Sequence, residues 1–227
     1  MNNIIVLATG NKNKLKEIRE ILRDSPVDIK SIDEYGTLPP VVEDQDTFEG
    51  NAYKKAHHYA RVLGLPCLAD DSGLVVESLD GRPGVLSARY AGENATDLEK
   101  CDKLLAEMKG KENRKAKFEC VLSLASPGGP ALTWEGSCEG EITTERHGES
   151  GFGYDPVFFY APLSQTFAQI PMEEKNKISH RGKALQEFSK EMDKVLVWLD
   201  HRLTEQKPIK PDHKQFEHND WSKDKMV

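Results

Sequence analysis

Ile4-Ile5-Val6-Leu7-Ala8-Thr9-Gly10-Asn11-Lys12-Asn13-Lys14, continued by Leu15, Ile18, Ile21 and Leu22, is the stretch that decides the fold. Residues 4–8 form a short, continuous apolar run, which reads as a buried strand. Leu15, Ile18, Ile21 and Leu22 recur at helical spacing, and Ser25-Pro26 ends that pattern. A polar, Gly-containing turn joins the two. A buried strand feeding a helix in this way is the opening unit of an α/β protein.

Working outward, Ala52, Ala56, Tyr59, Ala60 and Leu63 predict a second helix stopped by Gly64, with a strand at residues 66–69 behind it. Asp70-Asp71-Ser72-Gly73 interrupts the apolar run before Leu74-Val75-Val76 and reads as a place where a strand ends. Thr96 and Glu99 form a capping-box pattern ahead of Leu98, Cys101, Leu105 and Met108, with Gly110 placed to end that helix. Phe118, Cys120, Leu122 and Leu124 alternate with less apolar neighbours and run into Pro127-Gly128-Gly129, predicting a hairpin with residues 131–135. A last helix is expected from near Ser179, carrying Leu185, Phe188, Met192, Val195 and Leu199 on one face. Residues 1–203 then make one domain. The tail, residues 204–227, has Pro208 and Pro211, few apolar residues and no periodicity, and is expected to be disordered or loosely docked.

Composition narrows the function classes. The 227 residues carry 31 Lys and Arg against 38 Asp and Glu, a net charge of −7, which argues against a general basic surface for nucleic acid. No apolar run approaches the roughly 18 residues that cross a bilayer, so no membrane role is expected. The start of the chain lacks a basic leader. Cys67, Cys101, Cys120 and Cys138 are widely spaced and form no C-x-x-C pair, so they read as free buried thiols of a cytoplasmic protein.

Four segments have the composition to do chemistry. Thr9, Gly10, Asn11, Lys12, Asn13 and Lys14 stand between a strand and a helix N-terminus, where backbone N–H groups, the helix dipole and two lysines suit a phosphate chain. The second Gly and the Lys-Ser/Thr ending of a Walker A loop are missing, and an ordinary polar turn is the plain alternative. Asp70 and Asp71 offer paired carboxylates for a metal ion or for a base that activates water, and Glu43-Asp44-Gln45-Asp46 offers another oxygen ligand. A solvated Asp-Ser-Gly turn and a solvated acidic loop are the alternatives there. Phe152-Gly153-Tyr154-Asp155-Pro156, following Gly148 and Gly151, combines aromatic faces with glycines that permit close approach. A purine could stack there, or the rings could simply pack at a Gly-Pro bend. Lys175 and Ser179-His180-Arg181 offer a cation for phosphate and donors for a base carbonyl, or else a helix cap with exposed charges.

Taken in order, these segments closely resemble the inosine triphosphate pyrophosphatase family, also described as bacterial non-canonical purine nucleotide pyrophosphatases. The resemblance runs from about Ile4 to Leu199. It rests on Ala8-Thr9-Gly10-Asn11 with Lys14, Thr47-Phe48-Glu49-Gly50-Asn51-Ala52 with Lys55-Ala56, and Ala69-Asp70-Asp71-Ser72-Gly73-Leu74. To these it adds Pro83-Gly84, Ser87-Ala88-Arg89-Tyr90, Gly151 to Pro156, Glu174-Lys175 and Ile178-Ser179-His180-Arg181. The family often has Glu where Gly50 stands.

The resemblance implies an elongated α/β fold, a long mixed sheet flanked by helices, with two lobes and a nucleotide cleft between them. It implies a homodimer that uses Mg²⁺. The turn from Thr9 to Lys14, together with Lys55, would hold the phosphates. Glu43 and Asp71 would bind the metal, with Asp44 or Asp46 as substitutes for Glu43, and Asp71 would orient or deprotonate the attacking water. Ser72 would contact the nucleotide, and Phe152, Gly153, Tyr154 and Asp155 would line the base pocket with Lys175. His180 and Arg181 would read the base. The implied reaction cleaves inosine and xanthosine triphosphates to the monophosphate and pyrophosphate. The rivals are a pyrophosphatase of modified pyrimidine or methylated nucleotides, and a non-catalytic nucleotide sensor or nucleic-acid module.

Overall fold

The computed structural model describes residues 4–205. Strand β1 (Ile4–Leu7) leads into helix α1 (Lys12–Ile21) and strand β2 (Asp28–Ser31). Helix α2 (Phe48–Leu63), strand β3 (Cys67–Val76) and helix α3 (Asp97–Glu107) follow. The hairpin β4 (Lys115–Ala125) and β5 (Ala131–Ile142) comes next, then the short strands β6 (Phe158–Tyr160) and β7 (Gln165–Thr166). Helices α4 (Met172–Ile178), α5 (His180–Lys190) and α6 (Met192–Glu205) close the described chain.

The strands form one mixed seven-stranded sheet in the order β2-β1-β3-β4-β5-β6-β7. β1 runs parallel to both β2 and β3, and every pairing from β3 to β7 is antiparallel. The expected mixed sheet flanked by helices is therefore observed. Because side chains alternate along a strand, each face collects its own core. Leu68, Cys120, Leu122 and Leu124 pack on one face with Ile18, Leu185 and Phe188 of α1 and α5. Cys67, Ala69 and Ala125 pack on the other with Ala56 and Ala60 of α2. Leu74, Phe118, Phe158 and Phe167 form a third cluster towards the far end of the sheet.

Two expectations need correction. The Asp70–Gly73 segment is no turn: β3 runs unbroken through it, with Asp70 opposite Leu122 and Asp71 opposite Val121 in a ladder that extends from Cys67↔Ala125 to Val76↔Ala116. The β4 ladder and the side-chain partners of Asp70, Lys14 and Arg181, lie far away in sequence, so local turn propensity is overridden. Gly73 is needed for close packing, since a Cβ there would lie 2.5 Å from both the Gly84 carbonyl and Ser87 Oγ. The single last helix is two, α5 and α6, meeting at Glu191, although Leu185, Phe188, Met192, Val195 and Leu199 still share one buried cluster. Helix α6 runs to Glu205, and the expected disordered or loosely docked tail otherwise lies outside the described residues.

The remaining local readings hold. Thr96 caps α3 in a two-way box with Glu99, and Thr47 caps α2 by accepting from the Gly50 N–H. All four cysteines are buried and free. Among the described residues no helix is long and apolar enough to cross a membrane.

Candidate active site

The site begins at the end of β1, where the chain turns into α1. Asn11 caps that helix, its Oδ1 accepting from the N–H groups of Asn13 at 2.9 Å and Lys14 at 3.2 Å, while Thr9 Oγ1 accepts from Asn11 N–H at 3.2 Å. Thr9, Gly10, Asn11, Asn13 and Lys14 line a cleft of about 690 Å³, a size that suits a nucleotide. Lys12 is exposed and is not among the residues that line this cleft.

Alternation on β3 separates the two aspartates. Asp70 is fully buried on the α1 and α5 side, where Arg181 Nε donates to it at 2.9 Å, Cys120 Sγ lies at 3.1 Å and Lys14 Nζ forms an ion pair. Burial alone would raise this carboxyl, but the Arg181 and Lys14 cations hold it well below the usual carboxylate range. Asp70 is therefore a structural anion rather than a free base. Asp71 points to the α2 side and lines the cleft, and its Oδ2 is buried with no hydrogen-bond partner. Burial, reinforced by Glu43 and Asp70 and opposed by Lys14 and Lys55, pushes it up to about 6.

Glu43 reaches the same place through its loop. Asn51 at the start of α2 binds both backbone groups of Gln45, accepting from its N–H at 2.9 Å and donating to its carbonyl at 3.3 Å. Gln45 also explains Gly50, because a Cβ at Gly50 would come within 2.9 Å of Gln45 Cβ. Arg89 donates to the Glu43 carbonyl at 3.1 Å. Lys55 ties the Glu43 loop to β3: its Nζ sits 3.0 Å from Glu43 Oε1 and 3.2 Å from the backbone carbonyl oxygen of Asp70. Asp44 instead pairs with the outward Lys54 at 2.6 Å, and neither Asp44 nor Asp46 lines the cleft.

The opposite wall is the loop from Phe152 to Asp155. Asp155 closes it by accepting the Phe152 N–H at 2.9 Å and the Lys175 ammonium at 2.6 Å. Tyr154 anchors it by donating to the Ser87 carbonyl at 2.9 Å. The Phe152 ring lies 4.8 Å from Lys175 Nζ and 5.6 Å from Arg181 Cζ. His180 stacks on Phe118 at 4.7 Å, with Nδ1 buried and unpartnered; burial, with Arg181 and Lys175 nearby, keeps the ring neutral well below its usual range. Arg181 donates to Asp70, to Ser72 Oγ at 2.9 Å and to Glu17, which leaves two of its five N–H groups.

Glu17 is the residue the sequence reading missed. It is buried, accepts from Lys175 at 3.1 Å and pairs with Arg181, so it ties α1 to the start of α5 and, through Lys175, to the Phe152–Asp155 wall of the cleft. Its signal was its place one turn after Lys14, beside Ile18 on the inward stripe of α1. Asp97, which the sequence reading also passed over, accepts the Gly153 N–H at 2.7 Å.

Comparison with known proteins gives the family. Residues 5–191 match the model of the Ham1 family. The chain belongs to the Ham1 family. It is 59% identical over 220 residues to a dITP/XTP pyrophosphatase of Desulfotalea psychrophila, covering 97% of this chain and 99% of that relative, so the match runs past Glu205. It is 46% identical to the dITP/XTP pyrophosphatase of Bacillus subtilis, covering 82% of this chain and 94% of that protein. The solved structure of a HAM1 protein from Coxiella burnetii superimposes with a TM-score of 0.79 at 43% identity, covering 84% of this chain and 98% of that one. Every motif of the cleft, from Thr9 to Arg181, falls inside the Ham1 match.

Proposed function

We propose that this chain hydrolyses inosine, deoxyinosine and xanthosine triphosphates to the nucleoside monophosphate and pyrophosphate. The observation that carries this reading is the division of one cleft into a cationic end around an unpartnered buried carboxylate and an aromatic end rich in donors. Lys14, Lys55 and the N-terminus of α1 receive the triphosphate at the first end. Phe152 stacks the base at the second, and Lys175, His180 and the spare N–H groups of Arg181 face its 6-oxo edge. Adenine presents an amino donor there and leaves those donors unmatched, which favours deaminated purines.

The donor set fits Mg²⁺: two carboxylates, Glu43 and Asp71, reach the phosphate end, and Asp71 Oδ2 has no protein partner. A magnesium ion held there by Glu43, Asp71 and phosphate oxygens would neutralise charge on the triphosphate. Asp71 orients a water and takes its proton, the water oxygen bonds to the α-phosphorus, and the bridging α–β bond breaks so that pyrophosphate leaves with the electron pair. Lys14 and Lys55 stabilise the charge that accumulates on the leaving group. The four buried free thiols support a cytoplasmic setting.

The test is pyrophosphate release from a panel of inosine, xanthosine, adenosine and guanosine triphosphates with Mg²⁺. Preference for the first two supports the reading, and equal rates on all four contradict it.

A further inference from the structure

The first turn of α3 grips the base loop on both sides of one residue. Asp97 Oδ2 accepts the Gly153 N–H at 2.7 Å, and Cys101 Sγ donates to the Gly153 carbonyl at 3.3 Å. Lys100 Nζ sits 2.7 Å from the other oxygen of the same aspartate, Oδ1. An Asp–Lys pair three residues apart on a helix is ordinarily a solvated surface pair. This one lines the cleft, and the Lys100 side chain is only 12% exposed. Partial burial would raise the Asp97 carboxyl, but the Lys100 ammonium and the Gly153 N–H hold it below its usual range, so the carboxylate stays ionised.

The base loop is thus held at two places by oppositely arranged ion pairs. Lys175 holds the Asp155 end, and Asp97 with Lys100 holds Gly153. A purine lying along this loop with its 6-oxo group towards Lys175 has the 2-position, on the other side of N1, free to face α3. That position carries hydrogen in hypoxanthine, an oxo acceptor in xanthine and an amino donor in guanine. An ammonium has three donors and no acceptor; one is used on Asp97, so two remain. Both Asp97 oxygens are already engaged, by Gly153 and by Lys100.

We propose that Lys100 is a specificity-determining residue that reads the 2-substituent of the purine, favouring the 2-oxo group of xanthine and opposing the 2-amino group of guanine, with Asp97 as its positioning residue. The inference rests on the proposed function, which puts the base on the Phe152–Asp155 loop. It adds to that reading the discrimination at the 2-position, which the donors around the 6-oxo edge cannot supply, because guanine carries the same 6-oxo group.

The test measures kcat/KM for xanthosine, inosine and guanosine triphosphates with wild type, Lys100→Met and Lys100→Arg. Methionine keeps the apolar stem and removes the donor. In Lys100→Met the xanthosine-to-inosine ratio should fall about tenfold, the scale of one charge-assisted hydrogen bond, and the guanosine-to-inosine ratio should rise. Lys100→Arg, which keeps a donor-only cation, should restore the xanthosine-to-inosine ratio to within about threefold of wild type. A parallel loss on all three substrates, with both ratios unmoved, would overturn the inference and leave Lys100 as a packing residue of α3. Wild-type protein inert on both inosine and xanthosine triphosphates would overturn the proposed function and this inference with it.

Discussion

Replacing Glu17 by Gln tests the buried network that joins the two ends of the cleft. Three cations, Lys14, Lys175 and Arg181, face three carboxylates, Glu17, Asp70 and Asp155, so the cluster is neutral as it stands. Glutamine keeps the size of Glu17 but leaves one uncompensated positive charge among side chains that are almost fully buried. Breaking a buried pair in this way commonly costs about 3–5 kcal/mol. Here the low end applies, because Lys175 retains Asp155 at 2.6 Å and Arg181 retains Asp70 at 2.9 Å. The expected loss is therefore about 3 kcal/mol. For a chain of this length that corresponds to a fall in Tm of about 6–12 °C. Urea unfolding followed by tryptophan fluorescence measures it, since Trp134 is buried against Phe188 of α5. A loss below about 1 kcal/mol, the scale of an exposed pair, would refute the claim that the network is a dry, charge-balanced unit.

Three further outcomes follow from the geometry. Asp71→Asn should lower kcat by about two to four orders of magnitude without lowering Tm, because it removes the base and also an unpartnered buried charge; near-normal turnover would remove Asp71 from the mechanism. His180 stays neutral in the folded chain well below 6.5, so the unfolded chain takes up the proton first as pH falls. The associated stability is complete above pH 6.5 and is lost below it, at up to about 1.4 kcal/mol per pH unit. His180→Gln should flatten the pH dependence of urea stability by that amount between about pH 7.5 and 5.5, and an unchanged slope would show that His180 is not buried neutral. Gly136→Ala should destabilise by about 1–3 kcal/mol, since its Cβ would lie 2.1 Å from the His180 carbonyl and 2.7 Å from the Ala184 nitrogen, both backbone atoms. A neutral substitution there would mean that α5 sits further from β5 than described.

What the sequence made legible was whatever its neighbours determine. The β1–α1 unit, the Thr96–Glu99 capping box and the 115–142 hairpin are set by periodicity and local hydrogen bonds, and all three were readable. Asp70 to Gly73 was misread because turn propensity is local, whereas the partners that hold the segment in a strand lie 56 residues away at Lys14 and 111 away at Arg181. Only the strand assignment shows that the two aspartates face opposite sides, one structural and one open to the cleft. Glu17 was missed for a related reason: among Lys14, Lys16, Arg19 and Glu20 it looks like one more solvated charge until α5 is packed against it. Lys12 went the other way, a lysine of the Thr9–Lys14 turn that is exposed and does not line the cleft.

The central claim is that the cleft hydrolyses deaminated purine triphosphates at the α-phosphorus, and hydrolysis in ¹⁸O-labelled water tests it most directly. Deoxyinosine triphosphate turned over in that solvent should yield deoxyinosine monophosphate carrying the label and unlabelled pyrophosphate, at a rate well above that for deoxyadenosine triphosphate. Label in the pyrophosphate, a diphosphate product, or equal rates on the two nucleotides would contradict it.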